Sequence, residues 1–258
     1  MPGVTNLIFV FIVLVVVPTG VLADCVVLLH GLARTSNSME KLQTALEDHG
    51  YKVANVDYPS RAKPIEELSS IAVETGTQRC QAEMNDRIHF VTHSMGGILV
   101  RYYLEQKPID NLGHVVMIAP PNQGSEVVDK LATVPGFSLI NGPAGLQLGT
   151  GKKSIPVQLG PVDYSVGVIA GTRTFNPLLS QYLPNPDDGK VSVENTKVEG
   201  MADFRLIAAS HPFIMKNEKV IRHTLAFIET GAFLVKAPWQ QTELEKPEGP
   251  ESIDLEFK

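Results

Sequence analysis

This sequence has no Cys/His cluster with zinc spacing, no glycine fingerprint of a dinucleotide-binding turn and no internal repeat. Those absences remove structural zinc modules, nicotinamide-dependent folds, and solenoids or propellers. Positive charge is also scarce. With 22 Lys plus Arg against 28 Asp plus Glu, the formal net charge is −6. Nucleic-acid binding wants clustered Lys and Arg, so no nucleic-acid partner is expected. The stretch "GLQLGTGKKS" (145–154) is glycine-rich, but the glycine spacing is wrong for a phosphate loop. Lys153 also stands where the magnesium-binding Ser or Thr belongs, so it reads as a plain loop.

What is present is globular. At 258 residues, 43% apolar and 19% charged, the chain can bury one substantial core. Its two ends differ from the middle. Leu7 to Val17 is unbroken apolar, Pro18 and Gly20 interrupt it, and "VLA" ends at Ala23. This order predicts a signal peptide over 1–23 and export of a chain beginning at Asp24. The alternative is a membrane anchor through residues 7–23, although as a helix it would span only about 25 Å against a hydrocarbon core of about 30 Å. Residues 236–258 are Pro-rich, acidic and aperiodic, and are expected to form a disordered tail.

Residues 24–235 alternate short apolar runs with amphipathic stretches. "CVVLLHG", "YKVANVDYP", "RIHFVTHS", "HVVMIAPP", "YSVGVIAG" and "FRLIAAS" read as strands. Between them lie a helix with Met39, Leu42, Ala45 and Leu46 on one face, and another opened by Pro64 that turns Ile65, Leu68, Ile71 and Ala72 inward. The helix "MGGILVRYYLEQ" follows the third strand, and a last helix ends at Gly231. Strands this apolar, alternating with helices, predict an α/β fold: a mostly parallel sheet with helices on both faces.

In "FVTHSMGGILVRYY" a strand ends at Ser94 and turns at once into a helix. Such a corner exposes the hydroxyl at the carboxyl edge of the sheet, where ligand sites form in open α/β folds. The sequence resembles the α/β-hydrolases, and among them small bacterial lipases and esterases with an "H-S-M-G" elbow. The usual first glycine of that elbow is Thr92 here.

The resemblance implies a Ser, acid, His order along the chain. Ser94 would be the nucleophile and His211, in "HPFIM" after the last strand, the base. Asp187 or Asp188 in "PNPDDGKVSV" would orient that base, with Asp188 favoured because it directly precedes the glycine. The "LLHGLARTS" loop would give the Leu32 backbone N–H to an oxyanion hole and Met95 would give the second donor, leaving His30 and Gly31 to shape the loop. His93 and His89 read as structural, and His223 as lying on a solvated helix face. "APPNQGSEVVD" resembles a lipase segment, and residues 131–161 after it would form a small cap.

The expected activity is therefore a serine carboxylic-ester hydrolase acting on a small-molecule or lipid ester, with no metal or organic cofactor. A thioesterase or acyltransferase using the same residues is the alternative, and an inactive binding module on this fold is an alternative of another class. Association with a membrane surface and the oligomeric state stay open. In the resembled fold, Cys25 and Cys80 would both reach the edge of the sheet opposite Ser94. In an exported chain they would pair; otherwise they are two buried thiols.

Overall fold

The computed structural model of the protein describes residues 24–80, 87–174 and 176–235. The N-terminal apolar segment and the acidic tail lie outside the described residues. In chain order the regular elements begin with β1 (Cys25–Leu29), α1 (Glu40–Asp48), β2 (Lys52–Val56) and α2 (Ile65–Cys80). β3 (Ile88–His93), α3 (Met95–Gln106) and β4 (Leu112–Ile118) follow. Next come α4 (Glu126–Leu131), α5 (Phe137–Leu146), α6 (Ile155–Gln158) and β5 (Val166–Gly171). α7 (Pro177–Ser180), α8 (Val193–Thr196), β6 (Asp203–Ile207) and α9 (Glu218–Thr230) complete the order.

The strands form one six-stranded parallel sheet in the order β2-β1-β3-β4-β5-β6. Alternation along each strand divides its side chains between two buried layers. Val27, Leu29, Phe90 and Met117 face α2 and α3, whereas Val26, Leu28, Val91 and Ile118 face α1 and α9. Fully burying one such side chain contributes roughly 1.5–3 kcal/mol, which is why strands this apolar need helices on both faces. From β1 the chain runs outward to β2, then crosses back to β3 on the other side of β1. The carboxyl ends of β1 and β3 therefore flank the point where the winding reverses, and the loops after them meet there.

Asn217 opens α9, its side-chain oxygen accepting from the Lys219 and Val220 N–H groups. Gly231 closes that helix at φ 75°. Two details depart from the sequence pattern. Ile71 is exposed, and the inward stripe of α2 runs instead through Ile65, Leu68, Ala72, Val73 and Gly76. Within 131–161, where the resemblance implies only a small cap, the chain forms α5, interrupted at Gly142 (φ 65°, ψ −172°), and α6.

At the amino edge of the sheet, Cys25 and Cys80 are joined by a disulfide, with Cα atoms 5.7 Å apart. Beside it the Asp24 carboxylate accepts from the Arg87 backbone N–H at 3.0 Å and from its guanidinium at 3.0 and 3.2 Å. His89 reaches the same carboxylate through Nε2 at 3.2 Å, and its Nδ1 accepts from the His114 N–H at 2.8 Å. His89 is therefore a satisfied core histidine. Its pKa is lowered by burial, against the opposing pull of Asp24.

Candidate active site

At the opposite edge, Ser94 follows β3 directly and caps α3 at φ 53°, ψ −123°. A serine held there stores strain of about 1–3 kcal/mol, which the surrounding structure must offset. Its N–H donates to the Ile118 carbonyl of β4 at 2.9 Å, and its carbonyl accepts from Gly97 at 3.0 Å. A Cβ on Gly96 would stand 2.6 Å from the Leu29 carbonyl oxygen. Only glycine lets the start of α3 press against the end of β1. Thr92, the larger residue of the elbow, is buried and its hydroxyl turns to the Val116 carbonyl at 3.4 Å.

Ser94 Oγ lies 3.0 Å from His211 Nε2, and His211 Nδ1 lies 2.7 Å from Asp188 Oδ2. The other Asp188 oxygen accepts from the Lys190 and Val191 N–H groups at 3.0 and 2.9 Å. The His211 N–H, in turn, donates to the Asp188 carbonyl at 2.9 Å. All three side chains are buried. Asp187 faces elsewhere, accepting from the Gly189 N–H at 2.7 Å and the Ser180 hydroxyl at 2.5 Å. Of the two acids, Asp188 is the one that reaches His211. A donor from Nδ1 to the carboxylate leaves Nε2 with a lone pair facing the serine hydroxyl, so the arrangement can remove that proton.

Leu32 lies in the turn after β1 and lines the same cavity as Ser94. Ala33 holds that turn at φ 55°, and its N–H donates to Ser60 Oγ at 3.1 Å. Met95 is the first residue of α3, so its N–H has no acceptor within the helix. His30 is fully buried, stacked on Tyr58 with ring centroids 4.1 Å apart. The Tyr58 hydroxyl donates to the His30 carbonyl, which fixes the start of the loop.

His93, read from the sequence as structural, packs directly against His211. Its ring lies 4.9 Å from that of His211, and its Nε2 is 3.1 Å from the His211 carbonyl. Burial first, then the charges of His211 and Arg34, push its pKa well below the ordinary value. A neutral ring donating from Nε2 leaves Nδ1 as a bare acceptor, and that atom is buried without a partner among the described residues. His223 departs from expectation, being half-buried and set edge-on against Phe233 at 5.7 Å.

A cavity of about 470 Å³ opens at Ser94. Val127, Val128, Leu131, Val134, Phe137 and Ile140, from α4 to α5, give it an apolar wall. Arg34 and Lys190 line it beside His211; both fall inside the "LLHGLARTS" and "PNPDDGKVSV" stretches, where the resemblance gives roles only to their neighbours. Among the described residues, no group of three or more His, Cys, Asp and Glu side chains could hold a metal ion.

The family model for palmitoyl protein thioesterase matches residues 25–154, just over half of the chain. That span holds Ser94 and Leu32 but not Asp188 or His211. No curated protein sequence matches significantly. Among solved structures, the fold is similar to a Bacillus licheniformis lipase in its mature form. The TM-score is 0.61 at 15% identity, over 83% of this chain and 94% of that one. It is similar to a Legionella pneumophila phospholipase with TM-score 0.65 at 17% identity, over 86% of this chain and 61% of the phospholipase. A metagenomic carboxyl esterase matches with TM-score 0.55 at 19% identity, over 74% of this chain and 65% of its own. These likenesses carry the α/β-hydrolase fold, and the family match carries the rest: the chain belongs to the palmitoyl protein thioesterase family, among the lipase-, esterase- and thioesterase-like hydrolases.

Proposed function

We propose that the protein is a serine hydrolase that cleaves acyl esters or thioesters through an acyl-enzyme. The observation that carries this reading is the unbroken chain Ser94 Oγ–His211 Nε2 at 3.0 Å and His211 Nδ1–Asp188 Oδ2 at 2.7 Å. Ser94 attacks the acyl carbon while His211 takes its proton, and Asp188 stabilises the imidazolium. The Leu32 and Met95 N–H groups receive the negative charge of the tetrahedral intermediate, each such donor being worth about 3 kcal/mol. His211 then protonates the leaving oxygen or sulfur, and water repeats the sequence on the acyl-enzyme. Residues 131–161 act as a cap whose apolar wall receives the acyl chain.

The thioester form of this reading is favoured by the family match to palmitoyl protein thioesterase. Oxygen and sulfur esters share the tetrahedral intermediate, so one machinery serves both. Export with cleavage before Asp24 completes the proposal. Its support is the apolar segment ending at Ala23 together with the Cys25–Cys80 disulfide, since such bonds persist in oxidising compartments.

A fluorophosphonate probe followed by peptide mapping tests the nucleophile: the label is expected on Ser94 and is lost in Ser94→Ala. An active wild type that labels elsewhere, or not at all, overturns the mechanism. N-terminal sequencing of protein recovered from expressing cells tests export, with Asp24 expected as the first residue. Met1 intact on membrane-bound material would establish the anchor instead.

A further inference from the structure

The cavity at Ser94 is lopsided in charge. Arg34 and Lys190 line it, and no Asp or Glu does. Asp188 lies behind His211, its two oxygens occupied by the ring and by two backbone N–H groups. Among the described residues, neither cation forms an ion pair with a carboxylate. Arg34 spends one N–H on the Pro212 carbonyl at 3.0 Å. Lys190 lines the same cavity and is exposed, its backbone carbonyl accepting from the Ser125 hydroxyl at 2.6 Å. Burial lowers the pKa of both groups; for Lys190 the charge of Arg34 lowers it further and that of Asp188 raises it. Two cations lining one cavity whose wall holds no acid are poorly satisfied by a neutral ligand. An anion between them relieves both.

The chain also says on which side of the scissile bond this anion lies. His211 hands its proton to the leaving group, so the leaving group rests against His211. Arg34 is tied to the carbonyl of Pro212, the next residue, and Lys190 sits two residues beyond Asp188. The apolar wall comes from α4 to α5, and the Lys190 carbonyl borders its start at Ser125. An arginine fork plus a lysine point charge suits a tetrahedral polyanion better than a single carboxylate, which arginine alone can match. Resting on the serine-hydrolase reading, we propose that the natural leaving group carries a phosphate held between Arg34 and Lys190, the substrate being an acyl ester or thioester of a phosphorylated alcohol or thiol.

Two substrate pairs, alike in acyl chain and reacting group, test this on the purified chain. One compares an octanoyl thioester of coenzyme A with that of N-acetylcysteamine; the other compares octanoyl glycerol 3-phosphate with octanoyl glycerol. The phosphorylated member of at least one pair is expected to have the higher kcat/KM, by about tenfold or more at low salt, with the preference collapsing towards about 0.5 M NaCl. A preference in the first pair alone identifies a coenzyme A-type thiol, and in the second alone a glycerophosphate headgroup. Lys190→Gln should cut the preference about tenfold, and Arg34→Lys, which keeps the charge, should cut it less.

Equal kcat/KM within both pairs, or a preference untouched by Lys190→Gln and salt, overturns the assignment. Calorimetric binding of both pairs to Ser94→Ala gives a readout that needs no turnover. Hydrolysis of neither pair with retained phosphate-dependent binding would sink the hydrolase reading and leave the phosphate site between Arg34 and Lys190 standing. Hydrolysis of both pairs without discrimination would do the reverse.

Discussion

The two edges of the central sheet are built on opposite terms. At the carboxyl edge, Ala33, Ser94 and Ala119 all hold positive φ, buried polar side chains crowd together, and a cavity stands open. At the amino edge, a disulfide ties β1 to the end of α2, and Asp24, Arg87, His89 and His114 satisfy one another. The first edge stores strain and keeps unsatisfied groups in place; the second closes chain and satisfies them. Parallel strands shared by both edges let covalent closure at one offset strain at the other. Activity and stability should therefore separate when the edges are damaged in turn.

The largest separation is expected at the nucleophile. Ser94→Ala, His211→Ala and Asp188→Asn should each lower kcat by about 10³-fold or more, because groups that act as one unit fail together. The thermal midpoint of Ser94→Ala should stay near that of the wild type, since among the described residues its hydroxyl bonds only the His211 ring. Asp187→Asn is the internal control. Among the described residues its carboxylate serves Gly189 and Ser180 and not His211, so activity should survive far better. A crippled Asp187→Asn beside an active Asp188→Asn would reassign the acid.

Breaking the amino edge should do the converse. The disulfide closes a span of 55 residues, and its removal in Cys25→Ser or Cys80→Ser should cost about 4 kcal/mol in the chain-entropy account. Denaturant titration with and without reductant measures the loss. At temperatures where the variant is still folded, kcat should match the wild type. A variant that loses turnover before it loses structure would show that the two edges are coupled.

Gly31 sits where strain and space meet. A Cβ there would come within 2.9 Å of His93 Nδ1 and 3.1 Å of Ser94 Cβ. Gly31→Ala should shift both groups by tenths of an ångström and lower kcat about 10- to 100-fold, because small misplacements at the reacting centre are costly. Steady-state kinetics beside a melting curve would separate this from unfolding.

Much of this contrast was written in local sequence. Strands of buried β-branched residues, a serine at a strand end followed by glycines, and an Asp-Gly turn past a strand end are all read from neighbouring positions. What escaped depends on residues far apart. Ile71 fits the helical period of α2, yet the helix rotates so that Val73 and Gly76 take the inner face. Helix α5 was hidden by Gly142 and Pro143, which break its period; Gly142 sits at φ 65°, and a Cβ there would also stand 1.8 Å from the Arg61 carbonyl oxygen, so only glycine fits. Arg34 and Lys190 are 156 positions apart and converge only through the sheet.

His93 carries the smallest expected effect and joins the two kinds of edge, being a structural residue placed inside the reacting group. It acts on position: its Nε2 holds the His211 carbonyl at 3.1 Å, and it touches no substrate-facing atom in that bond. His93→Phe should lower kcat about tenfold with little change in KM, and His93→Gln, which restores a donor, should recover part of the loss. Stability gives a second readout. His93 has a folded pKa pushed well below 6.5 by burial, so below about pH 6.5 the unfolded chain binds a proton that the native ring refuses. The native state must then lose stability as pH falls from there, by on the order of 1 kcal/mol per pH unit for this one group. His30 and His89 are also held down by burial and keep part of that slope in any variant. Urea titrations between pH 7 and 5 should therefore show a shallower acid loss in His93→Phe than in the wild type. Equal slopes with full activity would mean that the ring merely fills space beneath His211.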